Sequence, residues 1–78
     1  MDELWHKVME KYFKTCVYPD CWLPAEVVHE EPPRSLKPRS EETMCPLCTR
    51  HHEHIHRCRK DALELMEEGK RKVLDFYE

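Results

Sequence analysis

Apolar residues near the start of the chain recur at steps of three and four. Leu4, Trp5, Val8, Tyr12 and Phe13 alternate with charged positions, which predicts an amphipathic helix from Asp2 to about Lys14, with Asp2 as its N-cap. The pattern then changes. Pro19 and Pro24 restrict the next stretch to a turn and a short extended segment, and Ala25–His29 (Ala-Glu-Val-Val-His) has the β-branched character of a strand. Pro32, Pro33 and Pro38, interspersed with Arg34, Lys37 and Arg39, make residues 30–40 an exposed loop. Glu42 to Cys45 suits a second short strand, and Pro46 suits the first turn of a helix, where a missing N–H costs nothing. From there to about Tyr77 only Gly69 interrupts the helical pattern. Ile55, Cys58, Ala62, Leu65, Gly69, Val73 and Phe76 form one stripe. Its simplest use is packing on the N-terminal helix, and its other use is a homodimer seam.

The expected architecture is therefore a small α+β unit over residues 1–78. Residues 1–15 form a leading helix, 16–57 a two-strand core with its chemistry, and 58–78 a helical extension. Composition says that such a unit needs help. With 78 residues, 37% of them charged and 9% aromatic, a hydrophobic core alone is marginal. One glycine against six prolines argues against a turn-rich all-β domain. No apolar run approaches the roughly 18 residues needed to cross a bilayer, so no membrane partner is expected. Asp2 and Glu3 at the start do not read as a signal peptide, which points to an intracellular setting.

The five cysteines are Cys16, Cys21, Cys45, Cys48 and Cys58. An odd count in a reducing compartment argues against a disulfide framework. Their spacing argues for a metal. Cys16-x4-Cys21 is one pair, on a loop turned by Pro19 and Asp20, and Cys45-x2-Cys48 is a second about two dozen residues later. Paired ligands at that separation suit a closed tetrahedral zinc site. Cys16, Cys21, Cys45 and Cys48 are the preferred set, because Cys-x2-Cys is the commoner knuckle pair. His51, three residues after Cys48, is the alternative to Cys45.

Histidines follow at once: His51, His52, His54 and His56. Residues four apart lie on one helix face, so His52 and His56 converge on one point and suit a second ion distinct from the zinc. His29 ends the first strand and is the candidate general base. The net charge of −3 is unlike that of most nucleic-acid binders. However, residues 34–60 hold seven basic and three acidic side chains, or +4, around the histidine run.

Val28-His29-Glu-Glu-Pro-Pro-Arg-Ser35, a basic loop, and Cys45-Pro-Leu-Cys48-x3-His52-x3-His56 together resemble the HNH endonucleases, over about residues 16–57. The resemblance implies a zinc-stabilised ββα-metal fold with a helix at either end. It also implies a metal-dependent endonuclease that nicks or cuts double-stranded DNA in the cytoplasm of a bacterial or phage-infected cell. On it, His29 is the general base and His52 and His56 hold a catalytic Mg²⁺, Mn²⁺ or other divalent ion. Arg34, Lys37, Arg39, Arg50 and Arg57 contact phosphates. The family's usual ligand before the base is Val28 here, and Thr43 stands where an asparagine commonly steadies the hairpin. Glu26, three positions before His29, faces the opposite side of the strand. A second register places His29 as a ligand and Glu30 as the base. With Val28 and Thr43 off-pattern, an HNH-derived zinc module that binds DNA or a phage protein is the alternative function. A zinc adaptor with idle histidines is a third.

Overall fold

The computed structural model describes residues 2–78, which form three helices and a two-stranded antiparallel sheet. Helix α1 spans Glu3–Lys11, and Asp2 caps it by accepting a 2.9 Å hydrogen bond from the Trp5 amide. Its buried face, Val8 and Met9 with Tyr12 at the C-cap, packs on the sheet. Phe13 and Lys14 then adopt left-handed backbone, with φ of 56° and 53°, ending the helix short of its expected limit.

The chain closes a tight loop before entering the sheet. Thr15 bridges to Pro24, the Cys16 amide donates to the Leu23 carbonyl at 2.8 Å, and the Ala25 amide donates to that of Lys14 at 2.7 Å. Within the loop, the Cys21 amide reaches the Tyr18 carbonyl across the Pro19-Asp20 turn, and Asp20 is left-handed (φ 65°). Strand β1 (Val27–Glu30) pairs with β2 (Met44–Leu47) so that His29 lies opposite Cys45 and Val28 opposite Pro46. Thr43 steadies the connecting loop: its hydroxyl accepts from the Ser40 amide and donates to the Ser40 carbonyl.

Pro46 belongs to β2 and not to a helix. Hydrogen-bonded positions alternate along an antiparallel pair. The Glu31 amide bonds to the Thr43 carbonyl, so Pro46 falls at a position that owes β1 no donor, where proline is tolerated. Its carbonyl faces outward and accepts from the Val17 amide at 2.9 Å, tying the cysteine loop to the sheet.

The single helix expected from Pro46 to Tyr77 is two. Helix α2 (Thr49–Arg57) is followed by an extended Cys58 and a left-handed Asp61 before α3 (Ala62–Tyr77) begins. No glycine or proline marks the break. Within the break, the Arg59 guanidinium bonds to the buried Glu31 carboxylate, and aspartate tolerates the left-handed turn. The predicted stripe is correspondingly divided. Ile55, Ala62, Gly69 and Val73 are buried, whereas Cys58 and Phe76 are exposed.

Helix α3 covers the cysteine loop. Gly69, the only glycine, lies against the Val17 carbonyl so closely that a Cβ there would stand 1.4 Å from the oxygen. One turn on, the Lys72 ammonium donates to the Tyr18 and Cys21 carbonyls at 3.0 and 2.7 Å and sits 4.3 Å from the Trp22 ring centroid. The core beneath is Val8, Val17, Met44, Leu47, Ile55, Met66 and Val73. It is small, as the composition requires.

Candidate metal centres

Helix α2 begins at the end of β2, and Cys48 is its N-cap without offering a capping hydrogen bond. Glu26, just before β1, does that work, its carboxylate accepting from the Thr49 amide at 3.2 Å. The negative charge suits the positive end of the helix. Held in this way, the first turn of α2 faces the cysteine loop.

Cys16, Cys21, Cys48 and His51 bring their ligand atoms within 4.8 Å of one another. The Cys16 and Cys48 sulfurs lie 3.8 and 3.3 Å from His51 Nδ1. A tetrahedral zinc with bonds of about 2.3 Å to sulfur and 2.05 Å to nitrogen sets those atoms about 3.6 Å apart, so the four residues fit a zinc ion. The three cysteines are buried, and Tyr18 stacks flat on the His51 ring at 4.2 Å between centroids. Burial, with the neighbouring Cys21 thiol acting in the same direction, pushes the Cys16 thiol up to about 12. A metal that binds there therefore displaces protons.

The preferred set is thus corrected at one position: His51, and not Cys45, is the fourth member of the cluster. The reason is strand geometry. A Cys-x2-Cys knuckle needs a tight turn, but Cys45 to Cys48 follows β2, which rises about 3.3 Å per residue and separates them by roughly 10 Å. From Cys48 to His51 the chain turns helically, so the same spacing brings the side chains together. Cys45 is instead a core thiol, fully buried against the Thr43 carbonyl and pushed up to about 11 by desolvation.

A second group forms on the adjoining face of α2. His29 from β1 and His52 and His56 from α2 also place ligand nitrogens within 4.8 Å of one another. The facing Nε2 atoms of His52 and His56 are 3.0 Å apart, and two nitrogens on one ion at about 2.05 Å stand roughly 2.9–3.4 Å apart. The His29 ring centroid lies 5.6 and 5.3 Å from those of His52 and His56. His29 is 4% exposed, His52 partly buried and His56 exposed, so the group opens to solvent through a cleft of about 280 Å³. Burial depresses the pKa values of His29 and His52. For His29, the hydrogen bond to Glu31 opposes but does not cancel that effect. Depressed imidazoles are neutral at pH 7, the form that binds metal or accepts a proton.

The other expected residues are placed differently. Val28 beside His29 offers no ligand atom. Glu30 gives both carboxylate oxygens to Arg34, at 3.2 and 2.6 Å, and that pairing holds its pKa below the usual value. Lys37 pairs with Glu42, Arg39 with Asp2, and Arg57 with Glu53 at 3.7 Å. Among the described residues, Arg50 has no ion pair. His54 is exposed and meets the edge of Tyr18.

Two residues that the sequence reading passed over sit at the centre of this site. The Glu31 carboxylate is buried, 2.9 Å from His29 Nε2, and accepts two further bonds from Arg59 at 2.7 and 3.0 Å. The period-2 rule could have found Glu31, which shares a strand face with His29. Nothing local marks Arg59. Comparison of the chain with protein-family models, with curated proteins and with solved structures finds no match.

Proposed function

We propose that the chain is a small metal-dependent phosphodiester hydrolase of the HNH kind, nicking or cutting double-stranded DNA with little sequence preference. One observation carries this reading: a strand histidine, His29, converges with His52 and His56 of the helix that follows the hairpin. On this reading His52 and His56 hold a divalent ion such as Mg²⁺ or Mn²⁺, which supplies Lewis-acid stabilisation of the phosphate and the departing oxygen. His29 takes a proton from the attacking water at its unprotonated ring nitrogen. The water oxygen bonds to phosphorus as the bond to the 3′ oxygen breaks. Zinc at Cys16, Cys21, Cys48 and His51 keeps α2 in place and takes no part in the chemistry.

The exposed positions of Arg34, Lys37, Arg50 and Arg57 suit phosphate contacts, which position a duplex without reading its sequence. Supercoiled plasmid incubated with Mg²⁺ or Mn²⁺ tests the proposal. The expected result is nicked and linear product that falls about 10²- to 10⁴-fold in His29→Ala, with zinc content unchanged. If pure wild type cuts no DNA form across a divalent-metal screen, the proposal is wrong.

A second reading is a non-catalytic zinc module that docks on DNA or a protein. The ion pairs that occupy Arg34, Lys37 and Arg39 and the lack of a ligand at Val28 favour it. It requires a complex whose strength is the same in wild type and His29→Ala.

A further inference from the structure

The Glu31 carboxylate is nine-tenths buried, and its only side-chain partners among the described residues are His29 and Arg59. Its Oε1 accepts from both, at 2.9 and 2.7 Å. A carboxylate that close to an imidazole nitrogen is an acceptor only, so the proton of a neutral His29 ring resides on Nε2 and the lone pair on Nδ1. Arg59 supplies the opposite charge that makes burial of the carboxylate tolerable. It comes from the break between α2 and α3, so the break itself brings the guanidinium to the site.

We propose that Glu31, held by Arg59, is a positioning residue that fixes the tautomer and orientation of His29. This rests on the reading of His29, His52 and His56 as the reactive centre only for its consequence in catalysis. A purely structural pair, stapling the α2–α3 break to the hairpin, would give the same stability loss on mutation but would leave the histidine proton free to move. In the proposed reaction, an imidazole in the wrong tautomer presents an N–H where a lone pair is needed, and the general-base step fails.

Long-range ¹H–¹⁵N spectra of the zinc-loaded chain at pH 8 decide between the two, with His29 assigned by difference from His29→Gln. Wild type is expected to show an unprotonated Nδ1 and a protonated Nε2. Glu31→Met keeps the length of the side chain without an acceptor, and should give an averaged mixture of tautomers. Glu31→Gln retains one acceptor oxygen and should restore the wild-type pattern. Cleavage should follow in the same order, about 10²-fold or more slower in Glu31→Met and largely recovered in Glu31→Gln. A protonated Nδ1 in wild type, or a wild-type pattern surviving in Glu31→Met, overturns the proposal. The wild-type spectrum is decisive even where Glu31→Met does not fold. A wild type that carries the tautomer but cuts no DNA removes the hydrolase reading and leaves the Glu31–His29 assignment standing.

Discussion

Replacing Gly69 by alanine tests how α3 holds the cysteine loop, and its two main effects have opposite signs. On helix propensity alone, alanine stabilises a helix interior by about 1 kcal/mol relative to glycine. Against this, the new Cβ would sit 1.4 Å from the Val17 oxygen, and real Cβ contacts stay beyond 3.0 Å, so the gap must open by about 1.6 Å. Neither wall gives easily. Val17 is tied to Pro46 through its amide, and the adjacent loop carbonyls are tied to Lys72. On the other side, α3 buries Met66 and Val73, one turn before and after Gly69, to 1% and 0% exposure.

Overpacking of this kind costs about 1–3 kcal/mol. Half-exposing Met66 and Val73 as the helix lifts costs roughly 2 kcal/mol more, since full burial of each is worth about 1.5–3 kcal/mol. After the propensity gain the net destabilisation is about 3 kcal/mol, or roughly 12–24 °C in Tm for a domain of this size. Thermal melts of zinc-loaded Gly69→Ala followed by circular dichroism provide the measurement. Glu68→Ala, at the exposed neighbouring position, serves as the control and should lie within about 0.5 kcal/mol of wild type. Zinc affinity should fall with stability, because Val17 adjoins Cys16. If Gly69→Ala melts at or above the wild-type temperature, the close approach of helix and loop does not exist in solution.

Three further outcomes are expected. His51→Ala should lose zinc while Cys45→Ser keeps it, by metal analysis after gel filtration; the reverse result would return Cys45 to the site. A strong chelator should collapse the far-UV helical signal of the metal-loaded chain, and an unchanged spectrum would show that core packing alone sustains the fold. Acid should destabilise. His29, His51 and His52 are held below the ordinary imidazole value by burial, so an unfolded chain takes up protons near 6.5 that the folded chain refuses. Stability from these groups is full above about 6.5 and is lost as the pH falls toward the lower folded values, with zinc release acting in the same direction. Equal urea midpoints at pH 7.5 and 5.5 would refute this.

Local signals were enough for much of the architecture. The period of Leu4, Trp5, Val8 and Tyr12, the cap at Asp2, and the turn at Pro19-Asp20 each depend on neighbours a few residues away, and each is where the pattern places it. The i, i+4 spacing of His52 and His56 likewise needed only a helix. What failed were spacings whose meaning depends on the backbone beneath them. Cys45-x2-Cys48 and Cys48-x2-His51 have equal intervals, but one follows a strand and the other a helix, and only the second closes. Cys-x2-Cys is the commoner knuckle pair, and preferring Cys45 on that ground assumes a tight turn between the two cysteines where β2 runs extended. The break after Arg57 was illegible for a different reason. Arg59 leaves the helical path to meet a carboxylate 28 positions earlier in the chain, and no window of neighbouring residues contains that partner.

Both centres depend on one short element. Helix α2 has nine residues, too few to be stable alone in water. Its apolar contribution to the core is the single buried side chain of Ile55. His51 and His52 are consecutive, yet they face different groups, because successive residues on a helix point about 100° apart. Cys48 and His51 face the cysteine loop, where a bound zinc would fasten the first turn of α2, and Glu26, just before β1, accepts from its leading amide. The direction in which His52 points therefore follows from contacts that all precede it in sequence, and His56 follows one turn later. His29 is fixed from the sheet, opposite Cys45. Cys45, across from it, is a buried thiol against the Thr43 carbonyl and belongs to the core beneath both centres.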